Sequence, residues 1–209
     1  MSAPPVLKAK PPSQDRGQRR VQLLLNAAAD LILLHGAEGL KMDMVAKQAK
    51  TSPGSLYQFF PNRAALLAAL ASRYGTELSA LAEENVRRQI AEPPPNLATA
   101  ARDFLQPFLD FYVRNQAYVI LAEATERIFG AQGHTFSEDD VVQEALIQAL
   151  TPYVTPAQKG RLLLVSQMLI INAHAAIAAS FEMAADARAA WVDELDRFIQ
   201  SYVATLQES

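Results

Sequence analysis

Apolar residues recur along this chain at helical spacing, and prolines and glycines divide them into segments. From Arg19 to His35 the run "RRVQLLLNAAADLILLH" puts Val21, Leu24, Leu25, Ala28, Leu31 and Ile32 on one side of a helix that Gly36 is suited to end. A short second helix is predicted over 43–50, with Met44, Val45 and Ala49 inward and Asp43 as its cap. A third lies between Ser52 and Phe60. The fourth begins near Asn62 and runs to Ala91, ~45 Å at the standard rise, where Pro93, Pro94 and Pro95 stop it. Further helices are predicted over 97–114, 116–129, 137–151, 156–184 and 187–207, with Ser137 as an N-cap and Thr155-Pro156 opening the next. No stretch alternates with period two and no internal repeat is present, so the fold class is all-α.

The stretch "AKTSPGSLYQFFPNRAALL", residues 49–67, sets three aromatic rings between two breakers. Ser52 can cap the third helix by accepting from the N–H near Ser55, and Pro53 then occupies a first-turn position that needs no N–H. Stepping 100° per residue from Leu56 brings Phe59 and Phe60 onto its side as anchors, with Gly54 and Gln58 opposite and Ser55 and Tyr57 flanking. The outer side is small and hydrogen-bonding. Gly54 and Ser55 permit close approach of the backbone, Gln58 can read a base edge and the Tyr57 hydroxyl can bond a phosphate. Two short helices joined by a tight turn, the second held at both ends, describe a helix-turn-helix.

Residues 21–67 resemble the DNA-binding domain of TetR-family transcriptional regulators. The family signature "IA-x-x-AGVS-x-GTLY-x-YF-x-sK-x-x-L" stands here, without a gap, as "VAKQAKTSPGSLYQFFPNRAALL". The resemblance implies that Ser52, Ser55 and Tyr57 hold the phosphate backbone, that Pro53, Gly54, Ser55 and Gln58 lie nearest the bases, and that Arg63 meets a further phosphate. Lys41, Lys47 and Lys50 add charge nearby, and Arg16, Arg19 and Arg20 ahead of the first helix are expected to reach DNA as an arm. The chain departs from the pattern at Lys50-Thr51, where the family has Gly-Val and the glycine turns the chain with positive φ; a distorted turn is expected. It departs again at Met42-Asp43, where Thr or Ser often touches phosphate.

Charge agrees with this division. Residues 1–63 hold nine Lys and Arg against four Asp and Glu, a net +5, while the rest of the chain holds 10 against 18, a net −8. A basic N-terminal third points to a polyanion, here double-stranded operator DNA, as partner of that third alone. The chain is therefore divided into a flexible tail over 1–18, rich in proline, a helix-turn-helix domain over 19–65 and a helical bundle over 66–209.

For the larger, acidic part the resemblance implies a ligand pocket and a homodimer interface. Pocket candidates are Phe104, Phe108, Phe111, Tyr112, Tyr118, Glu123, Gln167 and His174, which suit a small, mainly apolar effector. Ala173, Ala176, Ile177, Ser180, Trp191, Leu195 and Phe198 are the interface candidates, in a four-helix bundle formed with a second chain. The apolar run 162–179 carries Ser166, Gln167, Asn172 and His174 and reads as a helix buried in protein, not a membrane span; no leader pattern opens the sequence, and a cytoplasmic location follows.

Other chemistry finds little support. No cysteine is present, and His35, His134 and His174 lack metal-ligand spacing, so neither a metal nor another cofactor is expected. Glu123 and Glu126 have no accompanying Glu-x-x-His pair, and no P-loop, dinucleotide fingerprint or nucleophile elbow appears, so no enzyme is expected. The function expected is a repressor released from its operator by the effector. The alternative is a helix-turn-helix protein that is ligand-independent or controlled by a protein partner.

Overall fold

The structure is a computed structural model that describes residues 12–129 and 137–207, with the side chains of residues 12–15, 123, 125–129, 137–140 and 185 outside the description. Every regular element among the described residues is helical. In order they are α1 (Pro12–Gly39), α2 (Met42–Gln48), α3 (Pro53–Phe59), α4 (Arg63–Ala91), α5 (Leu97–Arg114), α6 (Gln116–Phe129), α7 (Ser137–Leu150), α8 (Lys159–Ser180) and α9 (Ala185–Ala204). Two single turns of tighter helix, Thr151–Tyr153 and Pro156–Gln158, connect α7 to α8. The helix expected over 156–184 is thus a 3-10 turn followed by α8, and the predicted ends of α4, α5 and α6 agree with those observed. The cap expected of Ser137 falls on a side chain outside the description.

Two compact units meet in sequence at Leu70 and Ala71. In the first, α1 is longer than its apolar stripe predicts. Residues 12–18, expected in a flexible tail, are helical, and residues 1–11 lie outside the described ones. Leu24, Leu25, Ala28, Leu31 and Ile32 are buried as expected, together with Val45, Ala46, Leu56, Phe60, Leu66 and Leu67. At Gly36 the helical path breaks, with φ 69° and ψ 167°, a region that is essentially confined to glycine. Arg63 secures the segment that follows. Its Nη1 donates to the Glu38 carbonyl at 2.6 Å and more weakly to that of Ala37 at 3.4 Å.

In the second unit α5 and α9 are packed together, α8 lies against both, and α7 lies against α5 and α8. Asn96 caps α5 by accepting from the Thr99 N–H at 2.9 Å, as Thr155 and Gln158 do jointly before α8 through the Thr155 N–H bond to Gln158 Oε1. Pro107 inside α5 has no N–H for the Asp103 carbonyl. Arg88 of α4 supplies the missing donor, Nη2 to that carbonyl at 2.9 Å. Pro156–Ser180 has the length and composition to cross a membrane, yet Val165, Leu169, Ala173 and Ile177 are packed inside protein.

Candidate nucleic-acid interface

The turn between α2 and α3 decides how the outer face of α3 is presented. Lys50 has φ 51°, the left-handed conformation, in the position where glycine ordinarily stands. Its N–H donates to Lys47 O at 3.1 Å, and the Thr51 N–H reaches back to Ala46 O at 2.9 Å. These are the paired bonds of a Schellman motif, with Lys50 at C′ and Thr51 at C″. The expected distortion is absent: lysine accepts the strained φ and the turn keeps its regular hydrogen bonds.

Ser52 then opens α3 with extended backbone, its Oγ accepting from the Ser55 N–H at 3.3 Å, and Pro53 occupies the first turn. Leu56 is 0% exposed and Phe60 is 6% exposed, so these two anchor the helix. Phe59, read from the helical wheel as a third anchor, is 36% exposed. A seven-residue helix closes its pattern before 59 returns to the buried side, and Phe60, already in extended conformation at the C-cap, takes the inward position. Pro53, Gly54, Tyr57 and Gln58 face solvent together, with Tyr57 47% exposed. Among the described residues nothing lies within 4 Å of where a Gly54 Cβ would stand.

The flanking cations divide into two kinds. Lys41 is the N-cap of α2 and is exposed, as are Lys47, Lys50 and Arg19. Asp43, expected to cap α2, lies in its first turn, where its charge favours the helix N-terminus without a capping bond. Arg63 was expected on a phosphate, but its Nη1 is on the α1 carbonyls and the side chain is half-buried. Arg16, Arg19 and Arg20 are not an arm ahead of the first helix; they lie within α1. Arg20 Nη1 donates to Ser55 Oγ of α3 at 3.1 Å, a pairing 35 residues apart in sequence that no local pattern announces.

Residues 24–70 match the family model described as bacterial regulatory proteins, tetR family. Residues 24–70 therefore form a TetR-family N-terminal domain. Solved structures agree in fold. A regulator assigned to the TetR family from Mesorhizobium loti has 15% identity and a TM-score of 0.68 over 91% of this chain and 98% of that one. The fatty acid degradation regulator FadR from Bacillus halodurans has 15% identity and a TM-score of 0.63 over 95% and 96%. A TetR-family regulator from Streptomyces coelicolor has 24% identity and a TM-score of 0.56 over 91% and 98%. No curated protein matches the chain in sequence.

In the larger unit, the aromatic candidates separate into two groups. Phe104 and Phe108 lie against each other, ring centroids 5.3 Å apart, fully inside the core. Tyr112 is stacked on His174 at 5.4 Å and on Tyr118 at 5.7 Å, and Phe111 meets Tyr118 edge-on. Tyr74 of α4, which the sequence reading missed, completes this cluster at 5.5 Å from Tyr118 and 6.1 Å from Phe111. Its signal was present: Leu70, Tyr74, Leu78 and Ala82 are buried at intervals of four. Gln167 does not join them, being exposed on α8, and the Glu123 side chain is outside the description.

The interface candidates also separate. Ala173, Ile177, Ser180 and Leu195 are buried within the chain's own core, against the expectation that they meet a partner. Ala176 is half-buried, and Trp191 and Phe198 are exposed; with Asn172, Glu194 and Leu195 these three line a groove of about 190 Å³ between α8 and α9. On α8 the exposed apolar residues are Leu163, Leu164, Met168 and Ile171, the last 63% exposed. A helix that is apolar nearly all round therefore buries one side at home and leaves another uncovered.

Proposed function

We propose that this regulator is a homodimeric repressor that reads its operator with α3. TetR-family regulators bind operator DNA as dimers. The observation that carries the reading is the outer face of α3: Pro53, Gly54, Tyr57 and Gln58 are presented to solvent while Leu56 and Phe60 fix the helix from behind. In the proposal Ser52, Ser55 and Tyr57 hold phosphates, Gln58 and the Pro53-Gly54 edge lie against bases, and Lys41 and Arg19 add positive charge at the flanks. The domain over 19–65 binds DNA, and the bundle over 66–209 dimerises and takes the effector. Dimerisation uses the uncovered side of α8, from Leu164 through Met168 to Ile171, with Trp191 and Phe198 of α9. The effector is small and mainly apolar, recognised by the cluster of Tyr74, Phe111, Tyr112, Tyr118 and His174, and its binding releases the operator because the DNA-free dimer has the higher affinity for it.

The test begins with selection of duplexes from a random pool by the full chain. On the selected duplex, Tyr57→Phe is expected to weaken binding to all sequences alike, and Gln58→Ala to change base preference at one position. Unchanged binding in both variants refutes the assignment of α3. A panel of apolar small molecules then decides the regulation: release by a subset supports the proposal, and persistent binding with every compound favours the ligand-independent alternative.

A further inference from the structure

We propose that Arg20 is a positioning residue for DNA, acting through Ser55 so that one guanidinium and two serine hydroxyls hold a single phosphate. The inference rests on the reading that α3 binds DNA. Arg20 is on α1 and Ser55 in the first turn of α3, with Nη1 and Oγ 3.1 Å apart. A guanidinium has five N–H donors and no acceptor, so in this bond the serine oxygen must accept. The Ser55 hydroxyl keeps its own proton for a different acceptor. Ser52 is in the same condition, since its Oγ accepts from the Ser55 N–H at 3.3 Å and its proton is likewise unspent on that bond.

Two hydroxyl protons beside a permanent positive charge make a cluster rich in donors. Phosphate oxygens accept only, so the cluster suits the DNA backbone. Ser55, placed by family pattern both at phosphate and near bases, is in this proposal a phosphate ligand. Arginine suits this place better than lysine, because one edge of the planar fork can hold Ser55 while the other faces the phosphate; an ammonium is a single point charge. The device is the side-chain pair bridging two helices, and it presets the Ser55 rotamer before DNA arrives.

The experiment measures affinity across a salt series for the full chain and for Arg20→Met, Arg20→Lys, Ser55→Ala and the Arg20→Met/Ser55→Ala double variant, on the duplex selected by the parent. Arg20→Met and Ser55→Ala are each expected to weaken binding by about tenfold, and the double variant by little more than Arg20→Met alone, because the two act on one phosphate. Arg20→Met lowers the slope of log affinity against log salt by about 0.9 per bound chain, and Ser55→Ala leaves the slope in place. Arg20→Lys restores the slope without restoring affinity. Losses that multiply to about a hundredfold in the double variant overturn the proposal. So does an unchanged slope in Arg20→Met, which would make the bond a purely structural tie, or parental affinity in Arg20→Lys. If Arg20→Met does not fold, the lysine variant alone decides. A parent chain that selects no duplex overturns the DNA-reading function and this inference together, whereas normal selection with multiplicative losses overturns only the inference.

Discussion

Replacing Lys50 by glycine should stabilise the DNA-binding unit, although the change deletes a whole side chain. Lys50 is exposed and has φ 51°, so its stem is not packed in the core and its backbone is in the left-handed well. Holding an L-residue with a Cβ there costs about 1–2 kcal/mol. Glycine removes that strain but adds about 0.4–1 kcal/mol of chain entropy to the unfolded state. The difference leaves Lys50→Gly more stable by about 0.5–1 kcal/mol, or roughly 1–4 °C in Tm for a chain of this size. Thermal and urea unfolding followed by far-ultraviolet circular dichroism gives the sign, and Lys50→Ala is the control, since it removes the charge and keeps the Cβ. Both Schellman bonds, Lys50 N–H to Lys47 O and Thr51 N–H to Ala46 O, persist in either variant, so the contrast between glycine and alanine isolates φ. A glycine variant no more stable than the alanine variant refutes the strain argument, and an equal gain of both over the parent would assign the effect to charge.

Gly36→Ala should act in the opposite direction, costing about 1–3 kcal/mol in urea unfolding, and purely through φ and ψ because no atom lies within 4 Å of the added Cβ. Arg63→Ala removes the charged donor to the Glu38 carbonyl and should cost about 1.5 kcal/mol in the same assay, a loss that Arg63→Lys only partly repairs. Ile171→Glu puts a carboxylate on the uncovered side of α8 and should shift the chain to monomer in sedimentation velocity, with far-ultraviolet circular dichroism unchanged. Tyr153 donates to the Pro94 carbonyl at 2.8 Å, and burial raises its pKa above the ordinary tyrosine value. Its contribution is present in full below pH ~10 and is lost as pH rises through the elevated folded-state pKa, so Tyr153→Phe should flatten the alkaline end of the stability profile.

Helix order was legible in the sequence because its signals are local. The proline stop after Ala91, the caps at Ser52 and Thr155 and the break at Gly36 each need only a few neighbouring residues, and each agrees with the structure. Side-chain placement was legible only where the helix is long enough for the period to hold. In α1 the predicted stripe of Leu24, Leu25, Ala28, Leu31 and Ile32 is buried, whereas in seven-residue α3 the wheel misplaces Phe59. On α8 the period fails for a different reason. With apolar groups on every side, spacing cannot say which residues meet the chain's own core, and so Ala173 and Ile177, expected at an interface, are buried while Met168 and Ile171 are exposed. Partners distant in sequence left no trace: Arg20 with Ser55 and Arg63 with Glu38 are tertiary facts.

Those two arginines change how the basic charge of the N-terminal third is understood. A net +5 over residues 1–63 reads, from sequence, as a diffuse positive surface for DNA. In the structure Arg63 Nη1 is held by the carbonyls of Ala37 and Glu38, and so ties the start of α4 to the segment after Gly36. Arg20 is committed to Ser55. Lys41, Lys47, Lys50 and Arg19 are exposed too, and they lie outside α3 instead of on it. Exposed lysines add counterion release to any duplex and discriminate little between sequences. In the proposed reading, sequence preference rests on Gln58 and the backbone at Gly54, a footprint too small for high specificity from one chain. A second copy would double the bases read, and in the proposed dimer the uncovered apolar side of α8 is the face that brings it.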